Sequence, residues 1–194
     1  MAIIYRTGLS ARIDIESAFP NLRSVRWKLP SPCDDTYNCH AWAGGDSTKR
    51  WEPTADWYWP IAYAYGTVNY FQYYTVDRFI EGFATLGYRL CDNPNYEFGF
   101  QKIAVYTRSF MGMPNFPSHT ARQRVFGIGW LSKLGNLEDI MHPALEDLND
   151  GYYGQPVEYM KRSWCSALIR RRTFHCAWRT IKFWLHRKAY PLGW

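Results

Sequence analysis

The sequence predicts an α+β domain with a small antiparallel sheet, and three stretches carry that expectation. Residues 75–88, TVDRFIEGFATLGY, have helical spacing, with Thr75 as N-cap, Asp77 in the first turn and Gly87 as the stop. Phe79, Ile80, Phe83 and Leu86 recur there on one face. KIAVY at 102–106 is rich in β-branched and aromatic residues and reads as a strand. HTARQRVFGIGWLSKLG, 119–135, fits two short antiparallel strands around a turn near Gly127, with Gly129 and Gly135 limiting the second arm.

The other elements follow in chain order. Residues 14–29 form a mixed stretch that Pro30 and Pro32 terminate. SPCDDTYNC, 31–39, is rich in turn-formers and reads as a loop, after which CHAWAGG begins a short helix near Cys39 that Gly44 and Gly45 end. Trp51 to Tyr74 is crowded with rings, among them Trp51, Trp57, Trp59, Tyr63, Tyr65 and Tyr70. SFMGMPNFPS, 109–118, reads as a loop, LEDIMHPALEDL, 137–148, as an acidic helix interrupted at Pro143, and GYYGQPVEYMKR as an edge strand. From Trp164 to Tyr190 the 3.6 period of Phe174, Ala177, Trp178, Ile181, Trp184 and Leu185, flanked by Arg171, Arg172, Arg179 and Lys182, predicts a basic amphipathic C-terminal helix. The expected organisation is one domain over 1–160 and a helical tail over 161–194.

The charge divides at the same boundary. Of 23 Lys plus Arg and 17 Asp plus Glu in 194 residues, positions 1–160 hold 14 basic and 17 acidic side chains, and 161–194 hold 9 basic and none acidic. The formal +6 therefore belongs to the tail, and a domain surface that tracks a phosphate backbone is not indicated. Nucleic acid is not expected as a partner; the tail suits an anionic membrane surface or a protein groove. Five cysteines are too few for a disulfide scaffold, and the N-terminal apolar run is too short for a signal peptide, so a cytoplasmic protein is expected. Aromatic residues make up 19% of the chain, which fits either a ring-heavy core or a binding surface. Trp42, Trp51, Trp57 and Trp59 are expected mainly in the core.

A cysteine at a helix start followed far downstream by a histidine at the start of a strand can become a nucleophile–base pair. The helix N-terminus and an adjacent imidazolium both favour the thiolate. Cys39 and His119 have that order. A group that orients the imidazole should come from the strand beside His119, where Ser132 is the nearest polar residue, with Asp139 and His142 as alternatives. The Cys39 amide with the Asn38 side chain would form an oxyanion hole. His40 is read as a neighbour on the far side of the helix, and Arg122, Gln123 and Lys133 as solvated strand positions, with a cleft role as the alternative for Gln123.

The strings YNCHAWAGGD, SHTARQ, GWLSKLG and DIMH over residues 30–160 resemble an uncharacterised family of bacterial and fungal domains. That family is similar to papain-like cysteine hydrolases, including NlpC/P60 peptidases and amidases. The resemblance implies a papain-like fold with Cys39 as nucleophile, His119 as general base and a third, orienting group that stays open between Ser132, Asp139 and His142, acting on a peptide or another amide or ester, as an effector or toxin domain. An inactive binding module of the same fold, or a peripheral membrane protein acting through residues 164–190, are the alternatives. No CxxC, HExxH, GxGxxG, P-loop or GxSxG occurs, so no metal and no cofactor are expected.

Overall fold

Two long strands joined by a tight turn organise the chain. The computed structural model describes residues 8–54, 57–61, 73–125 and 128–164. In order, these form α1 (Gly8–Ala18), a 3₁₀ turn (Pro20–Ser24), α2 (Cys39–Gly44), α3 (Val76–Ala84), β1 (Arg89–Leu90), β2 (Phe100–Phe110), β3 (Met113–Gln123), β4 (Trp130–Lys133), β5 (Asp139–His142), a second 3₁₀ turn (Leu145–Leu148) and β6 (Gln155–Ser163). The strands make one six-stranded sheet in the order β1-β6-β2-β3-β4-β5. Every ladder between them is antiparallel.

Local chemistry accounts for several of these elements. Thr75 caps α3 and accepts from the Arg78 amide, and the buried Phe79 and Phe83 lie on its inner face. Met111 (φ 47°) and Gly112 (φ 82°) make the left-handed turn that reverses β2 into β3. The sheet separates two apolar cores. On one face Ile103, Val105 and Met160 pack with α2, α3, Trp51 and Trp59. On the other, Ala104, Tyr106, Ala121, Trp130 and Ile140 pack with Ile15, Phe19, Leu22 and Leu145. Alternating side chains along β2 and β3 supply both cores.

The expected α+β papain-like architecture is corrected. An antiparallel sheet dominates, the three α-helices among the described residues are short, and loops, rings and 3₁₀ turns supply much of its cover. Residues 113–118 belong to a strand, not a loop. Their prolines are tolerated because the β2–β3 register shifts beside Pro117, and β4 meets β3 only at Arg122 and Gln123. Asp139–His142 is also a strand, because β4 is there to pair with it and the following Pro143 disfavours helix at His142. The segment expected at an edge, β6, lies between β1 and β2.

The helix expected from Trp164 to Tyr190 falls almost wholly outside the described residues, as do Tyr63, Tyr65, Tyr70 and the turn at Gly127. Among the described residues no helix is long and apolar enough to cross a membrane. Trp42, Trp51 and Trp59 are buried as expected, whereas Trp57 is exposed.

Candidate functional site

The start of α2 is held by one side chain. Asn38 Oδ1 accepts from the amides of Ala41 (3.1 Å) and Trp51 (3.2 Å), while Nδ2 donates to Trp51 O (2.8 Å) and Glu52 Oε1 (2.9 Å). Tyr74 Oη donates to the other Glu52 oxygen. Gly45, with φ 93°, closes the helix in the left-handed conformation. This network fixes where Cys39 sits. It also commits both donor positions of the Asn38 amide, so the expected oxyanion role for that side chain is not available in this arrangement.

Cys39 is buried, and burial pushes its thiol up to about 12. Backbone hydrogen bonds with Thr120 and His40 work against that rise. The helix behind it has only six residues, too short for its dipole to reverse the desolvation. The thiol meets the Thr120 backbone beside the point where the β3–β4 ladder, paired at Arg122↔Leu131 and Gln123↔Trp130, has ended.

Three side chains from adjacent strands cross that region on the other face. His119 on β3, Ser132 on β4 and His142 on β5 are all buried. His119 Nε2 lies 3.0 Å from Ser132 Oγ, which lies 2.9 Å from His142 Nε2. His142 Nδ1 lies 2.6 Å from the Ala144 carbonyl. The direction of the chain follows from its end. A carbonyl can only accept, so His142 Nδ1 carries hydrogen. Burial lowers the His142 pKa to about 4, so the ring is neutral and its Nε2 accepts. Ser132 therefore donates to His142 and accepts from His119 Nε2–H. Burial likewise holds His119 well below the usual imidazole range. Its Nδ1 is then a bare lone pair, buried and without a hydrogen-bond partner among the described residues.

The structure thus brings His119, Ser132 and His142 together. It shows no Cys39–His119 hydrogen bond: Thr120 and Arg122 face α2, with His40 Nδ1 2.9 Å from Thr120 Oγ1 and Arg122 donating to Trp42 O. His119 projects to the opposite face, edge-on to Tyr106 and stacked on Tyr153 at 4.0 Å between ring centroids with 9° between planes.

The remaining expectations sort readily. Asp139 lies beside Tyr37 and Lys133, outside the imidazole chain, and burial raises its carboxyl pKa. His40 packs edge-on against Phe79, with burial lowering its pKa to about 4. Arg122, Gln123 and Lys133, expected in solvent, are buried instead: the Arg122 guanidinium stacks over Trp42, Gln123 donates to Pro94 O and Lys133 to Leu137 O. Their polar ends reach backbone oxygens supplied by other segments, which strand alternation alone does not reveal. Among the described residues no group of three or more His, Cys, Asp or Glu is placed to hold a metal.

One part of the site has no sequence signal. A pocket of about 490 Å³ opens on the Tyr153 side, lined by Phe19, Arg108, Ser118, Leu134, Tyr152 and Tyr153 among others. Arg108 Nε is buried and has no acceptor among the described residues. Positions 108 and 153 meet only because β6 returns along β2. A family model described as a domain of unknown function (DUF7689) matches residues 28–161, nearly the span of the uncharacterised-domain resemblance. No curated protein and no solved structure matches the chain.

Proposed function

The chain belongs to the DUF7689 family, and from that premise we propose that its domain is a cysteine hydrolase of amides or esters, with Cys39 as nucleophile and His119 as general base. One observation carries the reading: His119 Nδ1 is a buried lone pair with no partner, on the residue adjoining Thr120, whose backbone meets the Cys39 thiol. The Ser132–His142 chain fixes the tautomer that leaves this nitrogen bare.

Because the resting thiol is neutral, attack is coupled to proton transfer and does not start from a standing thiolate–imidazolium pair. The sulfur bonds to the substrate carbonyl carbon as its proton passes to His119 Nδ1. The carbonyl reforms as the C–N or C–O bond breaks and His119 protonates the leaving group. Water then attacks the thioester, gives a proton to His119, and the sulfur departs with it. Ser132 and His142 are positioning residues in this scheme.

Acyl transfer from p-nitrophenyl acetate tests it. The expected result is one acetyl thioester on Cys39, located by mass spectrometry, and its loss in His119→Ala. Acetylation confined to cysteines other than Cys39 would overturn the reading. The buried thiol, raised to about 12, favours a second reading, a binding module without turnover. That reading predicts ligand binding with Cys39 unacylated at every dose.

A further inference from the structure

We infer that the pocket beside Tyr153 binds a carboxylate, held by Arg108, and so admits a substrate bearing a negatively charged carboxyl group. The binding claim stands on the pocket itself; its description as the substrate site rests on the hydrolase reading above.

The argument begins with Arg108. Its position near the outer end of β2 directs the side chain to a pocket of about 490 Å³ and to a second recess of about 480 Å³ that shares Asp14, Ala18, Arg108 and Tyr152 with it. The guanidinium lies 5.0 Å from the Phe110 ring centroid, a contact that leaves its in-plane donors for other partners. Nε has no acceptor among the described residues and is closed off from solvent, so a ligand in the pocket meets the guanidinium at its terminal Nη edge. A buried donor normally has a partner, and a guanidinium fork matches the two oxygens of a carboxylate.

The rest of the lining narrows the class. Phe19, Leu134 and Tyr152 offer apolar and aromatic surface for the body of a ligand. Among the described lining residues Arg108 is the one cation and Asp14 the one anion. With Asp14 opposing the charge of Arg108, the field in the pocket is small, so a ligand carboxylate is selected by the directed guanidinium contact, and a second negative charge, as on a phosphate, is disfavoured. The pocket also adjoins the imidazole chain. Ser118, which precedes His119, donates to Tyr153 O at 2.6 Å, and the Tyr153 ring stacks on His119, so one ring separates the pocket from the proposed base.

The test uses the full chain and N-benzoylglycine as the probe, with its uncharged amide N-benzoylglycinamide and phenyl phosphate as comparisons, read by NMR titration of backbone amide signals. N-Benzoylglycine is expected to shift the Ser118 and Tyr153 signals saturably and to bind at least about tenfold more tightly than the amide, the scale of one charge-assisted bidentate contact. Arg108→Gln is expected to erase that difference, and Arg108→Lys to retain part of it. Equal binding of acid and amide, no saturable shift, tighter binding of phenyl phosphate, or an unchanged preference in Arg108→Gln would each overturn the inference. If Arg108→Gln fails to fold, the comparison on the native chain and on Arg108→Lys decides. Binding without Cys39 acylation would count against the hydrolase alone, and Cys39 acylation without carboxylate preference against this pocket alone.

Discussion

His119 Nε2 and Ser132 Oγ lie 3.0 Å apart between two strands whose regular ladder has already ended. Ser132 takes the place of a backbone bond there: it accepts from one imidazole and donates to the next. Removing the hydroxyl leaves two buried ring nitrogens unpartnered. Ser132→Ala is therefore expected to lower stability by about 1–3 kcal/mol, measured by urea unfolding. A loss below about 0.5 kcal/mol, the range of ordinary surface substitutions, would show that the chain of hydrogen bonds is unimportant to the fold.

Acid should destabilise the domain through the same rings. His40, His119 and His142 all have folded pKa values below that of an exposed imidazole, by burial in each case, with His40 and His142 at about 4. The unfolded chain then binds more protons than the folded one below pH about 6.5. Stability is fully present above that pH and falls as pH drops toward 4. For His40 and His142 the loss at pH 5 is about 2 kcal/mol each. Asp139 and Asp147 have raised carboxyl pKa values and act in the opposite direction at the acid end of this range. Urea unfolding at pH 7.5, 6 and 5 should show a steep decline, and a flat profile would contradict the neutral-imidazole assignment.

Gly154 sits before β6 with φ 73°, and a Cβ there would lie 2.1 Å from the Thr107 carbonyl oxygen. Backbone strain and a backbone clash act together in Gly154→Ala. The expected cost is about 2 kcal/mol or more, with amide exchange quickening first in β6 and in the part of β2 facing it. Unchanged exchange at Thr107 and Gln155 would show that the close approach does not constrain the strand.

Asn38 combines an N-cap with three bonds to the Trp51–Glu52 segment. Asn38→Ala is expected to cost about 2 kcal/mol, above the usual loss for a cap alone, because it strands buried donors and acceptors. Asn38→Asp keeps the acceptor but places a carboxylate against Glu52, and should recover less than half. Thermal unfolding of both variants checks this; a fully restored Asn38→Asp would mean that the cap alone matters.

Chain order alone accounts for the local pieces: the Thr75-capped helix, the helix beginning at Cys39, the strand around Ile103–Tyr106, the antiparallel pairing of the strands carrying His119 and Ser132, and the span of the family. Each depends on periodicity, a cap or a turn within a few residues. The rest came from the way the segments pack together. It made 113–118 and 139–142 strands because partners lay alongside them, and drew the polar ends of Arg122, Gln123 and Lys133 to backbone carbonyls. It joined His142 to Ser132, and raised a thiol expected to be acidic, because burial outweighs a six-residue helix. Desolvation and long-range hydrogen bonding depend on which segments meet across the sheet, and chain order does not contain that.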